Sequence, residues 1–147
     1  MSDAPQTCTV RPIQESDRAA LIDLWSRVFA DDPPWNAAER MIDRKLRVQP
    51  ELLLVAHVQG RLAGAVIAGY DGVRGWLYHL AVSPELRRRG IATALVRAAE
   101  QRLRELGCEK INLQVRETNR EVVAFYRSLG YEVEPRVSMG RRLEATG

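Results

Sequence analysis

A chain of 147 residues suits one compact domain, 1–147, and leaves little room for a second; 46% apolar residues can build a core, yet no run approaches the ~20 apolar residues that cross a bilayer. Twenty-two Lys and Arg against 19 Asp and Glu give a net charge of +3, and only Arg87-Arg88-Arg89 forms a basic cluster, which speaks against a nucleic-acid-binding module. The start MSDAPQTCT has neither the basic nor the apolar region of a secretory signal, and Cys8 and Cys108 are far apart without His clusters, so the expectation is a cytoplasmic protein with free thiols and no metal.

Residues 1–6 read as a loose tail, followed by a short strand over Thr7–Arg11. Ser16 or Asp17 can cap a helix to about Phe29, with Leu21, Leu24, Trp25 and Val28 at helical spacing. Asp31-Asp32-Pro33-Pro34 breaks the chain, and Asn36 can cap a second helix through Met41, Ile42 and Leu46. Leu52–Val58 and Leu62–Tyr70 are strand-like around a Gln59-Gly60-Arg61 turn, and Trp76–Val82 follows as a third consecutive strand.

Past Ser83-Pro84 the period changes. Ile91, Leu95, Ala98, Ala99, Leu103 and Leu106 mark a helix closed by Gly107. Lys110–Arg116 reads as a strand, Asn119 can cap a helix with Val122, Phe125, Tyr126 and Leu129 on one face, and Gly130 stops it. Tyr131–Leu143 reads as one or two final strands. The order β-α-α-β-β-β-α-β-α-β predicts an α/β (α+β) fold, with a mixed sheet of about six to seven strands and helices on both faces.

Chemistry concentrates in residues 80–96, LAVSPELRRRGIATALV. A strand ends, a loop follows, and a helix opens near Gly90. Such a helix start offers unpaired N–H groups and a positive dipole end to an anion. Gly90 and the small Ala92 keep side chains out of the way, while Arg87, Arg88 and Arg89 add charge, which together predict a pyrophosphate cradle of backbone amides. Walker and dinucleotide fingerprints are both absent, and a plain helix start with a solvated basic turn fits the spacing as well.

Arg87-Arg88-Arg89-Gly90-Ile91-Ala92 resembles the Arg/Gln-x-x-Gly-x-Gly/Ala signature of the GNAT superfamily of acetyl-CoA-dependent N-acetyltransferases. Downstream, Asn119 to Tyr131 is similar to that family's Asn-x-x-Ala-x-x-x-Tyr-x-x-x-Gly-Tyr/Phe segment, with Val122 in place of the alanine. The element order agrees along almost the whole chain, and the resemblance is to small bacterial members, including those similar to ribosomal-protein N-terminal acetyltransferases.

The resemblance implies acetyl-CoA as co-substrate. Backbone amides of Arg87, Arg88, Arg89, Gly90, Ile91 and Ala92 then hold its pyrophosphate. Leu80, Ala81 and Val82 bond the pantetheine arm and acyl carbonyl at a slot where the fourth and fifth strands splay. Asn119 contacts the pantetheine, and Tyr126 protonates the departing thiolate. Taken alone, Tyr126 also fits as a core aromatic with a hydroxyl partner, and Asn119 as a simple cap.

The acceptor amine must lose a proton, and a lysine side chain at a reference pKa of ~10.4 needs more help than an α-amine at ~8. Relatives acting on protein N-termini often carry Leu-Glu-Val-Arg in the fifth strand; here Leu113-Gln114-Val115-Arg116 stands instead, and Gln114 takes no proton. Tyr78 and His79 are the candidate bases, expected on opposite faces of their strand. Glu117 reads as solvated. Asp31 and Asp32 beside Trp35 can attract a cationic amine, and they also fit a plain turn with Trp35 over the core. The expected function is therefore transfer of an acetyl group to a primary amine, on a small molecule or a protein, with no membrane and no specific nucleic-acid partner. The competing reading is a non-catalytic acyl-CoA-binding sensor or partner-binding module. Relatives often dimerise through their C-terminal strands, which makes a homodimer one candidate assembly and leaves the oligomeric state open.

Overall fold

The computed structural model describes residues 7–143, and these fall into two compact units divided after Gln114. The tail expected at 1–6 lies outside the described residues.

The first unit is built on one sheet. Strands β1 (Cys8–Pro12), β2 (Leu53–Val58), β3 (Arg61–Tyr70) and β4 (Gly75–Val82) pair antiparallel in sequence order, and β5 (Ile111–Leu113) joins β4 in parallel. The β2–β3 hairpin turns at Gln59 and Gly60, with φ of 51° and 75°. Positive φ at both turn residues matches the right-handed twist of the strands.

Alternation along the strands gives the sheet two apolar faces. Leu53, Val55, Ala65, Ile67 and Ala81 meet Leu21, Leu24 and Trp25 of α1 (Arg18–Val28) and Ile42 of α2 (Ala38–Lys45). The other face takes α3 (Ile91–Glu105), whose Ile91, Leu95, Val96, Ala99 and Leu103 are all buried. Each fully buried Leu or Ile contributes about 1.5–3 kcal/mol relative to exposure. Gly64 permits the close approach: a Cβ there would stand 2.8 Å from the Ala81 carbonyl oxygen and 3.0 Å from Leu95 Cδ1.

The helix-start signals fall differently from expectation. Asp17 ends a 3-10 turn, Glu15–Asp17, and forms a capping box with Gln14, but it gives α1 no side-chain cap. Its carboxylate turns inward to Arg11 and His57 instead. Asn36 ends a second 3-10 turn, Pro34–Asn36, and α2 starts behind Ala37 without a side-chain cap. Proline in the first position fixes that turn one step too early for Asn36 to reach α2. The fifth strand pairs only over Ile111–Leu113 of the expected Lys110–Arg116.

In the second unit, Asn119 caps α4 (Arg120–Ser128), its side chain accepting from the Val122 N–H at 3.3 Å. Gly130, at φ 99°, stops the helix, with Gly130 N–H bonded to the Arg127 carbonyl and Tyr131 N–H to the Tyr126 carbonyl. This reversal carries the Tyr131 ring back against Tyr126, 5.4 Å between centroids. The one or two strands expected over Tyr131–Leu143 do not form, so among the described residues the sheet has five strands rather than six to seven. Val133, Val137, Met139 and Leu143 are each more than half exposed, and Pro135 has no N–H to give a ladder. With these apolar side chains exposed, their burial does not help offset the entropy of ordering a strand there.

Candidate functional site

The site residues of the first unit are positioned by an irregularity in β4. Pairing with β3 runs Ala65↔Ala81 and then Ile67↔Tyr78, so β4 spends His79 and Leu80 where β3 spends only Val66. His79 takes a left-handed φ of 53°, an uncommon state for a non-glycine residue. Three contacts hold it. The Trp25 indole N–H donates to the His79 carbonyl at 3.1 Å, His79 Nε2 stands 3.1 Å from Asp32 Oδ2, and the ring packs against Phe29 at 4.5 Å between centroids.

The bulge also breaks side-chain alternation. Tyr78 stands opposite Ile67, which belongs to the α1–α2 face, and His79 packs on Trp25 and Phe29 of the same side. The two candidate bases therefore share one face instead of pointing to opposite ones. They differ in environment. Tyr78 is 47% exposed and lies near the stacked Trp76 ring, and partial burial with the Asp71 charge pushes its phenol up. His79 is mostly buried; burial lowers its pKa, and the Asp32 charge and hydrogen bond offset only part of that.

Beside the bulge, β4 loses its other neighbour. The last pair with β5 is Leu77↔Leu113, while β4 continues to Val82. Residues 78–82, including Leu80, Ala81 and Val82, thus have backbone groups on that edge with no β5 partner. Ser83 bonds back to the Ala63 carbonyl at 2.8 Å and leads into the 3-10 turn Pro84–Leu86. The loop then passes through Arg88 at φ 65° and Gly90 at φ 78° into α3. Arg87, Arg88 and Arg89 are exposed, and a Cβ on Gly90 would meet nothing within 4 Å. The first-turn amides of Ile91 and Ala92 have no intrahelical carbonyl to bond. Open space, free amides and cationic side chains fit a polyanion such as a pyrophosphate.

In the second unit, Asn119 is the cap of α4, and Tyr126 is 7% exposed among Phe125 and Tyr131. Burial pushes the Tyr126 phenol up to about 12. Its hydroxyl makes no hydrogen bond among the described residues. Gln114 and Glu117 are exposed.

Two features were not legible in advance. Asp32 lies 47 positions from His79, and nothing in the spacing of the two betrays their bond. Trp25 reads as a core residue of its helix, and its N–H is the added function. Trp35 is 37% exposed in its turn, and Asp32 of that acidic stretch pairs with His79.

The model of the acetyltransferase (GNAT) family matches residues 14–131. An acetyltransferase of Yersinia enterocolitica is 44% identical over 134 residues, 91% of this chain and 94% of that protein. One of Pectobacterium atrosepticum is 45% identical over the same shares. Among solved structures, an aminoglycoside N-acetyltransferase in complex with CoA aligns at TM-score 0.78 and 18% identity, covering 97% of this chain and 99% of that one. The PaiA N-acetyltransferase of Thermoplasma acidophilum, in complex with coenzyme A, aligns at 0.76 and 22% identity, covering 89% and 93%.

Proposed function

The chain belongs to the GNAT family and is an acetyltransferase, and from that footing we propose that it carries the acetyl group of acetyl-CoA to a primary amine by direct attack. The observation that carries this reading is the run from the unpaired edge of β4, through the positive-φ loop at Arg88 and Gly90, to the start of α3. One continuous stretch supplies amides for a thioester arm and for a pyrophosphate. The aminoglycoside and PaiA enzymes, solved with CoA, support the choice of ligand. The family match runs unbroken over 14–131, which supports reading 1–147 as one domain.

Roles follow by chemistry. Amides of Arg87 to Ala92 hold the pyrophosphate, with the arginines adding charge. Leu80, Ala81 and Val82 orient the pantetheine and offer an N–H to the oxygen that gains charge during attack, an effect of about 2.7–4 kcal/mol for one such donor. Asn119 adds a contact to the pantetheine, and the Tyr126 hydroxyl protonates the leaving thiolate. The base comes from Tyr78 or His79. Holding amine and thioester in line supplies much of the remaining rate.

The test is release of free CoA from acetyl-CoA with a panel of primary amines: spermidine, an aminoglycoside, a lysine-containing peptide and a peptide with a free N-terminus. Turnover with one class identifies the acceptor. No turnover with any of them overturns the primary-amine reading.

A further inference from the structure

We propose that Asp32 and His79 form the proton-accepting dyad of this site, with Asp32 holding the ring so that Nδ1 takes the acceptor's proton. The proposal rests on the amine-acceptor reading above and decides between its two candidate bases. A carboxylate only accepts hydrogen bonds, so Asp32 Oδ2 at 3.1 Å requires the hydrogen on Nε2. In the neutral ring the lone pair is then on Nδ1. Among the described residues, Nδ1 of His79 has no hydrogen-bond partner, and the one buried side-chain nitrogen sealed without a partner is Nδ1 of His57. His79 Nδ1 is thus open to an incoming group.

Position agrees with this. His79 sits in the bulge, within the stretch of β4 that has lost its β5 partner. The groups facing its ring are Trp25 and Phe29 from α1, which do not titrate, and Asp32 from the turn behind α1. Burial keeps the ring neutral, the form a base needs at neutral pH, and Asp32 stabilises the imidazolium once it forms. Tyr78 is the poorer base because its raised pKa leaves almost no phenolate at neutral pH.

The proton balance closes. The acceptor ammonium gives one proton to Nδ1, and the freed lone pair forms the N–C bond. The C–S bond breaks with its electron pair on sulfur. The nitrogen's second proton replaces the one that Tyr126 hands to the thiolate, and the imidazolium returns its proton to water.

Two readouts test the dyad. Long-range proton–nitrogen NMR of the imidazole, assigned by its loss in His79→Gln, needs no acceptor. The Nε2–H tautomer is expected, and Asp32→Asn is expected to lower the titration midpoint and mix the tautomers. An Nδ1–H ring in the wild type overturns the proposal. The second readout is CoA release with each amine of the panel, using His79→Gly, since glycine accepts the φ of 53° without strain. The expected loss is about 10²–10⁴-fold, partly restored by added imidazole. Asp32→Asn should lower kcat and move the ascending limb of the pH profile to lower pH, with KM for acetyl-CoA unchanged. A rate unaffected in His79→Gly, or a loss that imidazole does not restore, overturns the dyad and leaves the amine-acceptor reading standing. Absence of turnover with every amine overturns that reading instead, and the tautomer still decides the pair.

Discussion

The Trp25 indole N–H, 3.1 Å from the His79 carbonyl, ties α1 to the bulge in β4. A left-handed histidine persists only where its surroundings over-determine it. Trp25→Phe keeps the aromatic packing and removes the hydrogen bond from a residue only 2% exposed. Leaving that carbonyl unpaired is expected to cost about 1–3 kcal/mol, read by urea denaturation. Turnover should fall more than affinity for acetyl-CoA, because Trp25 holds the bulge and the arginine loop lies elsewhere.

Gly64 is required by distance. Its missing Cβ would lie 2.8 Å from the Ala81 carbonyl oxygen, a backbone atom that cannot swing aside, and 3.0 Å from Leu95 Cδ1. Gly64→Ala should destabilise the protein by about 1–3 kcal/mol and disturb β4 directly opposite the candidate acyl site. Denaturant titration beside CoA-binding calorimetry checks both effects.

Much of this arrangement is written in local pattern. The stripe Ile91, Leu95, Ala99, Leu103 specifies α3, and Gly107 and Gly130, at φ 91° and 99°, specify where α3 and α4 stop. The loop Arg87 to Gly90 is legible because its charges and glycine are contiguous. The bulge at His79 is not, since it arises from a register slip between β3 and β4 that no single strand encodes. The Asp32–His79 bond joins residues from separate elements. Tyr131–Leu143 misleads because its Val133, Val137 and Met139 look strand-like but have no partner surface among the described residues to bury them.

Asp17 should govern acid stability. Burial alone would raise its carboxyl, but the Arg11 hydrogen bond, the Gln14 amide and the Arg11 and His57 charges outweigh this and hold it below the usual range. A depressed folded pKa contributes stability above the unfolded value of ~3.9 that is lost as pH falls through the folded value. Asp17→Asn should therefore flatten the loss of stability below about pH 4. It should also destabilise at pH 7, because the forked pair to Arg11 at 2.7 and 3.1 Å is broken.

Tyr126→Phe tests the proposed role of Tyr126 as the thiolate acid. With the phenol at about 12, the hydroxyl stays protonated through any practical assay, so the wild-type rate should show no descending limb from this group below pH 10. The variant is expected to lose about 10²-fold or more in kcat, with the KM for acetyl-CoA little changed. Stability at high pH follows from the same shift. The folded pKa lies above the unfolded value of ~10, so the folded state holds its proton longer and stability falls as pH rises from 10 towards 12. Phenylalanine should remove that fall.

Gly90→Glu tests the pyrophosphate cradle. The site tolerates a side chain for space, since a Cβ there meets nothing within 4 Å, but at φ 78° a glutamate is strained by about 1–2 kcal/mol. Gly90→Asn is the control, because asparagine accepts the left-handed conformation and brings no charge. Calorimetry with acetyl-CoA should show binding in the wild type, a weakened but measurable affinity in Gly90→Asn, and none in a folded Gly90→Glu, whose carboxylate repels the phosphates. Equal affinity in all three proteins would move the pyrophosphate away from the start of α3. A loss shared equally by both variants would assign the role of Gly90 to backbone shape, with charge contributing nothing.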